Sequence, residues 1–170
     1  RGPYTEERIN PGFKKPLISS GIFVISPDNG IIWQAQNPFV TKTVITQNGV
    51  AQEVNGQKTM FLDAQKIPFI QQIYKLIGSV LLGNWNVLDK DFIVTKSGDS
   101  HKWKVILLSR NQENMNMPFS SIEVDGSHFA DKVILKKKDG GTHRLTFKDQ
   151  VMSEIPLSKD EKASFDMVNR

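Results

Sequence analysis

A chain of 170 residues with 38% apolar and 24% charged side chains can bury a core as one domain, and its longest apolar runs fall well short of a membrane span, which needs roughly 18 to 20 residues. The absence of cysteine excludes a disulfide framework, cysteine zinc sites and thiol catalysis together, while a net charge of +4 suits anionic surfaces without demanding one. The chain opens on Arg1-Gly2-Pro3 rather than on methionine, so a preceding piece, with any signal peptide, is expected to have been removed.

Residues 4–9 read as a first strand, ended by Asn10-Pro11-Gly12, and Lys14-Lys15-Pro16 connects it to the strongest local pattern in the chain. Residues 21–26 and 31–36 are rich in Ile, Val and Phe, and Pro27-Asp28-Asn29-Gly30 between them carries proline, Asx and glycine turn chemistry; a hairpin is expected. Strand alternation puts Phe23, Ile25, Ile31, Trp33 and Ala35 on one face, and Ile22, Val24, Ile32 and Gln34 on the other. A hairpin apolar on both faces is either buried between layers or lines something hydrophobic. Residues 41–47 alternate β-branched and polar side chains, Asn48-Gly49 predicts a two-residue turn into a strand over 50–54, and Asn55-Gly56 repeats the turn signal.

Over 65–83 the period changes. Ile67, Ile70, Ile73, Tyr74, Ile77, Val80 and Leu81 recur at threes and fours, with Phe69 and Leu76 widening the stripe, whereas Gln71, Gln72, Lys75 and Ser79 gather opposite. This is an amphipathic helix, with Pro68 near its start and Gly83 past its end, and a sheet face is what it has to cover. Strands resume over 91–96, 102–110, 119–124, 132–137 and 142–149, making about ten in an antiparallel meander. Val105-Ile106-Leu107-Leu108 lacks alternation, which predicts a strand covered on both faces. Lys136-Lys137-Lys138 stands before Asp139-Gly140-Gly141 and reads as a solvated hairpin end. A short terminal helix begins at Ser158, its N-cap, with Glu161 completing a capping box and Phe165 and Val168 as anchors.

Catalytic motifs are missing: there is no phosphate-binding G-x-x-x-x-G-K-[ST], no H-E-x-x-H, no G-x-S-x-G, no S-x-x-K and no G-x-G-x-x-G. His101, His128 and His143 fall beside different strands, with Asp131 and Asp139 near the last two, and read as surface or turn histidines rather than a metal site or relay. No enzyme, metal or cofactor is therefore expected. Of the aromatic residues only Tyr4, Trp85 and Trp103 are placed to reach solvent beside a Lys or Arg, which makes a poor nucleic-acid stacking platform. What remains is apolar surface, which forms either a packed core or a ligand cavity.

Several stretches, in order, carry a resemblance. They are Tyr4-Thr5-Glu6, the connector from Gly12 to Gly21, Trp33 and Pro38 after the hairpin, Val44 to Gly49, and the helix over 65–83. At the end come Leu145-Thr146-Phe147, Pro156-Leu157-Ser158, Glu161 and Phe165. Their order and spacing resemble a divergent branch of the LolA-like family, the periplasmic carriers of outer-membrane lipoproteins. The resemblance implies one carrier domain over 1–170, of α+β, mostly β class: an unclosed antiparallel half-barrel with a helical lid, lacking the helix that precedes the first strand in the family. It further implies a hydrophobic cavity for the acyl chains of a lipoprotein or other lipid. Phe23, Ile25, Ile31, Trp33 and Ala35 would form the wall, and Phe69, Ile70, Ile73, Ile77 and Val80 the lid. An inner-membrane donor complex and an outer-membrane acceptor protein would be the partners, with peripheral membrane contact only and no nucleic acid. At the position of the family's characteristic arginine this chain has Pro27. The alternative reading is a cell-envelope protein-binding or sensor module that offers its sheet to partner strands and carries no lipid.

Overall fold

The computed structural model describes residues 1–67, 69–110 and 119–169, with the side chains of Phe69, Ile73, Leu82, Val87 and Asn169 outside the description. Its strands are β1 (Gly2–Ile9), β2 (Leu17–Ser26), β3 (Gly30–Asn37), β4 (Thr41–Thr46), β5 (Gly49–Val54), β6 (Gln57–Asp63), β7 (Phe92–Gly98), β8 (Trp103–Ser109), β9 (Phe119–Gly126), β10 (Ala130–Lys137) and β11 (Thr142–Phe147). The helices are α1 (Phe69–Leu82) and α2 (Lys159–Asn169), with a 3-10 turn at Trp85–Leu88. The strands form one sheet in the order β6-β5-β4-β3-β2-β1-β11-β10-β9-β8-β7. The ends do not meet, so the fold is the α+β, mostly β, unclosed antiparallel sheet read from the sequence. By contacts the chain divides into two compact units, one of Arg1–Tyr4, Ser19–Gly78 and Asp149–Arg170, the other of Thr5–Ile18 and Ser79–Lys148.

In the first unit the hairpin register pairs Phe23 with Trp33, Val24 with Ile32 and Ile25 with Ile31. Directly opposed residues share a face, so the two predicted apolar faces are as expected. One of them is closed by α2: Val24, Ile32, Val44 and Ala51 form a buried cluster with Phe165 and Val168, flanked by Leu157 and Met167. The predicted capping box starts that helix, the Glu161 amide donating to Ser158 Oγ at 3.1 Å and the Ser158 amide to Glu161 Oε2 at 2.7 Å. Arg1 adds a two-pronged contact to the same carboxylate, Nε to Oε1 at 3.1 Å and Nη2 to Oε2 at 3.0 Å.

Two local expectations shift. The turn after β4 is made by Gln47 and Asn48, because Thr46 already pairs with Gly49. Gly49 is instead required by crowding, since a Cβ there would lie 2.4 Å from the Leu62 carbonyl oxygen. The Asn55-Gly56 turn is as predicted, with φ of 50° and 78°, the positive pair that a two-residue hairpin turn needs. It leads into β6, which the sequence reading missed. That strand lies at the sheet's end and is exposed along most of its length, so it carries no one-sided apolar pattern to recognise.

In the second unit, Val105, Leu107, Ile122, Val124 and Val133 are buried on one face, in register across β8, β9 and β10. The opposite face is a ladder of charge: Lys104 lies 3.6 Å from both Glu123 and Asp125, Lys132 is 3.8 Å from Asp125, and Lys136 is 2.7 Å from Glu123. The expectation that 105–108 is covered on both faces is corrected here. Leu108 is 43% exposed and pairs with the exposed Ile93, so the run is apolar without being two-sided core. The end of α1 has the Schellman form, with Gly83 at φ 71° and the Asn84 amide donating to the Ser79 carbonyl at 2.9 Å. Ser79, placed on the polar side by periodicity, is buried, and so is Leu76.

Candidate functional site

The face of the first unit that α2 leaves alone carries a row in register. Ile25 opposes Ile31, Ile31 opposes Ile45, Ile45 opposes Val50, and Val50 opposes Leu62. Five aliphatic side chains thus cross five strands side by side. Ile31, second in the row, is 1% exposed, whereas Ile25, Ile45, Val50 and Leu62 are only half-buried. Beside the row stands an aromatic group: Trp33 has its ring centroid 4.4 Å from that of Tyr4 and 5.9 Å from that of Phe23. Tyr4, expected at the surface, is buried by this contact.

Of the residues proposed from sequence for the wall, Phe23, Ile31 and Ala35 are buried and Ile25 and Trp33 half-buried. The structure places all five on one face of β2 and β3. Sequence reasoning missed Ile45, Val50 and Leu62, whose membership depends on pairing across three further strands. On α1, Ile70 and Val80 are buried and Ile77 half-buried. Phe69 and Ile73, the other two lid residues, have side chains outside the described ones. The first part of α1 faces the β4–β5 turn: Gln71, Tyr74 and Lys75 line a cavity of about 240 Å³ with Gln47 and Asn48. Ile45 and Val50, the members of the row on β4 and β5, stand one pair in from that turn, beyond the Thr46–Gly49 pair.

The second unit has a concave site of its own, of about 390 Å³, lined by Gly83, Trp85, Lys96, Ser97, Gly98, Trp103, Lys104, Val105 and His128. Trp85 and Trp103 meet edge to face there, centroids 5.7 Å apart and planes at 66°. Sequence had marked both as aromatic residues near lysine, without joining them.

No family model matches the chain, and no curated protein matches it. Among solved structures, the crystal structure of MucB is similar over 94% of this chain and 56% of that one, at 11% identity and a TM-score of 0.40. The complex structure of Pseudomonas aeruginosa MucA/MucB is similar over 94% and 54%, at 13% identity and a TM-score of 0.41. LprF from Mycobacterium bovis is similar over 92% of this chain and 90% of that one, at 9% identity and a TM-score of 0.32. The chain spans about half the length of the MucB chains it matches.

Among the described residues no group of three or more His, Cys, Asp or Glu is arranged to hold a metal ion, and no helix is long and apolar enough to cross a membrane. The histidines are apart. His101 sits at a turn 3.9 Å from Asp99, and His128 is exposed with its ring edge-on to Phe129. His143 is half-buried 3.5 Å from Glu6, and burial lowers its pKa against the opposing pull of that carboxylate. Glu6 is itself buried and forked by Arg8, at 2.8 and 2.9 Å. Lys136 and Lys137 of the basic triplet are ion-paired, to Glu123 and Asp139, as a solvated hairpin end would have them.

Proposed function

We propose that this chain is a non-catalytic carrier of the periplasm. It holds acyl chains of a lipoprotein or other lipid along the wall of Phe23, Ile25, Ile31, Trp33 and Ala35, extended by Ile45, Val50 and Leu62. The first part of α1, with Ile70 and Ile77, serves as its movable cover. The observation that supports this reading is the aliphatic row, half-buried at Ile25, Ile45, Val50 and Leu62, on a face that α2 does not close. Completing its burial with an acyl chain contributes about 0.8 kcal/mol per methylene, so ten methylenes supply on the order of 8 kcal/mol. Such binding needs no bond made or broken. The resemblance in order and spacing to the LolA-like family points the same way, and delivery from an inner-membrane donor to an outer-membrane acceptor is the role it suggests.

The test is native mass spectrometry of the protein purified from bacteria, with organic extraction of whatever is bound, followed by uptake of a fluorescent fatty acid. Co-purified lipid in stoichiometric amount, and uptake weakened several-fold by Ile45→Thr and Val50→Thr, are the expected results. A clean apo mass with no uptake overturns the proposal. A second reading, a cell-envelope protein-binding or sensor module without lipid cargo, is favoured by the two open strands, β6 and β7, that end the sheet. Unpaired strand edges accept a partner strand by main-chain hydrogen bonds, and capture of an extended peptide by a lipid-free protein would establish it.

A further inference from the structure

The notch of the second unit is built around a fixed indole. Trp103 opposes Gly126 across the β8–β9 pair, and a Cβ at Gly126 would lie 2.1 Å from Trp103 Cζ2, so the indole occupies the space that the missing side chain leaves. Its Nε1–H donates to the Ser127 carbonyl at 2.6 Å. On the other side Gly98 opposes Trp103 with φ of 93°, where a side chain would run into the Lys102 carbonyl oxygen. Trp103 is therefore set before any ligand arrives, and a preset wall loses little freedom on binding. Trp85 meets it as the second wall.

The polar side of the notch is as specific. On β7 the side chains of Phe92, Val94 and Lys96 alternate onto one face, opposite Ser109, Leu107 and Val105, so an apolar series ends in a lysine beside two indoles. Lys104 already has Glu123 and Asp125 at 3.6 Å, whereas Lys96 has no ion pair among the described residues. Ser97 and His128 add hydrogen-bonding groups at the rim.

We propose that this notch binds an anionic sugar ring, one bearing a phosphate or carboxylate. Indole faces are electron-rich and attract the positively polarised C–H faces of a saturated ring, the rim groups suit its hydroxyls, and Lys96 pairs with the anion. The alternatives fit less well. A nucleobase stacks best between parallel faces, which two rings at 66° do not offer, and an acyl chain gains nothing from the lysine, serine and histidine. A volume of about 390 Å³ lies in the small-molecule range of roughly 300–1,000 Å³. The site is separate from the aliphatic wall and does not depend on it.

The experiment follows the indole N–H signals of the full chain by NMR, assigned with single Trp→Phe variants, during titration with glucose 6-phosphate, glucose and inorganic phosphate. The expected result is a saturable shift of the Trp85 and Trp103 signals with glucose 6-phosphate, at least ten-fold weaker in Lys96→Ala, and none with glucose or phosphate alone. Lys96 is exposed, so its variant keeps the fold. Vesicles of phosphatidylinositol against phosphatidylcholine show whether the ring is recognised free or on a lipid, and inositol-specific perturbation of the same two signals supports the proposal in its lipid-borne form. It is overturned if neither ligand moves these signals, if glucose or phosphate alone moves them equally, or if Lys96→Ala binds unchanged.

Discussion

Gly126 shows how one missing side chain shapes a site. Replacing it with alanine drives a methyl group into the Trp103 ring, and overpacking of this kind costs about 1–3 kcal/mol. Urea denaturation of Gly126→Ala should show that loss together with a red shift of tryptophan emission as the indole lifts off the strand. His143 carries a prediction about acid. Burial favours its neutral form in the folded protein, chiefly by desolvation, with Arg8 and Lys137 adding to the effect and Glu6 and Asp139 opposing it. Its folded pKa therefore lies below the ordinary value of about 6.5. The stability it contributes is complete above that value and is lost as pH falls through the lowered one, because the unfolded chain takes up the proton first. Thermal melts from pH 7.5 down to 5.5 should show a falling midpoint that His143→Gln makes shallower. Residue by residue, the sequence was legible where chemistry is local, as in Asn55-Gly56 and the Ser158–Glu161 box. It misled at Gly49, whose need for a bare Cα comes from the Leu62 carbonyl on a neighbouring strand.

Among the elements, α2 combines the plainest sequence signal with a clear structural role. Phe165 sits in the buried cluster over β2 to β5, and Phe165→Ala should cost about 3–5 kcal/mol. Ser158→Ala, which removes only the cap, should cost about 1 kcal/mol; chemical denaturation of the two variants gives the comparison. The hairpin of β2 and β3 was read with its two faces correct because period-2 alternation is visible within a single strand. The aliphatic row was not, because Ile45, Val50 and Leu62 join Ile25 and Ile31 only through the register of three more pairings. For the same reason Trp85 and Trp103, noted separately in the sequence, gave no hint of a common notch. β6 escaped notice for a different cause: a strand exposed on most of its length has no pattern to show.

For the molecule as a whole, an unclosed sheet has two strands with a free side. Hydrogen exchange should find the outward-facing amides of β6 and β7 exchanging well ahead of those in β3 and β9, which are paired on both sides. Phe61 on β6 is 43% exposed and lies under the Lys58 ammonium at 4.7 Å, which also donates to the Met167 carbonyl of α2 at 3.2 Å. The buried cluster under α2 unites the second to fifth strands with a helix that follows all the other strands in sequence. During synthesis, then, Val24, Ile32, Val44 and Ala51 leave the ribosome long before Phe165 and Val168 exist to cover them. A greasy surface waits for its cover while everything between is translated, so a stop codon ahead of Phe165 should yield insoluble product, and nascent chains of this protein should depend on a holding chaperone until α2 emerges.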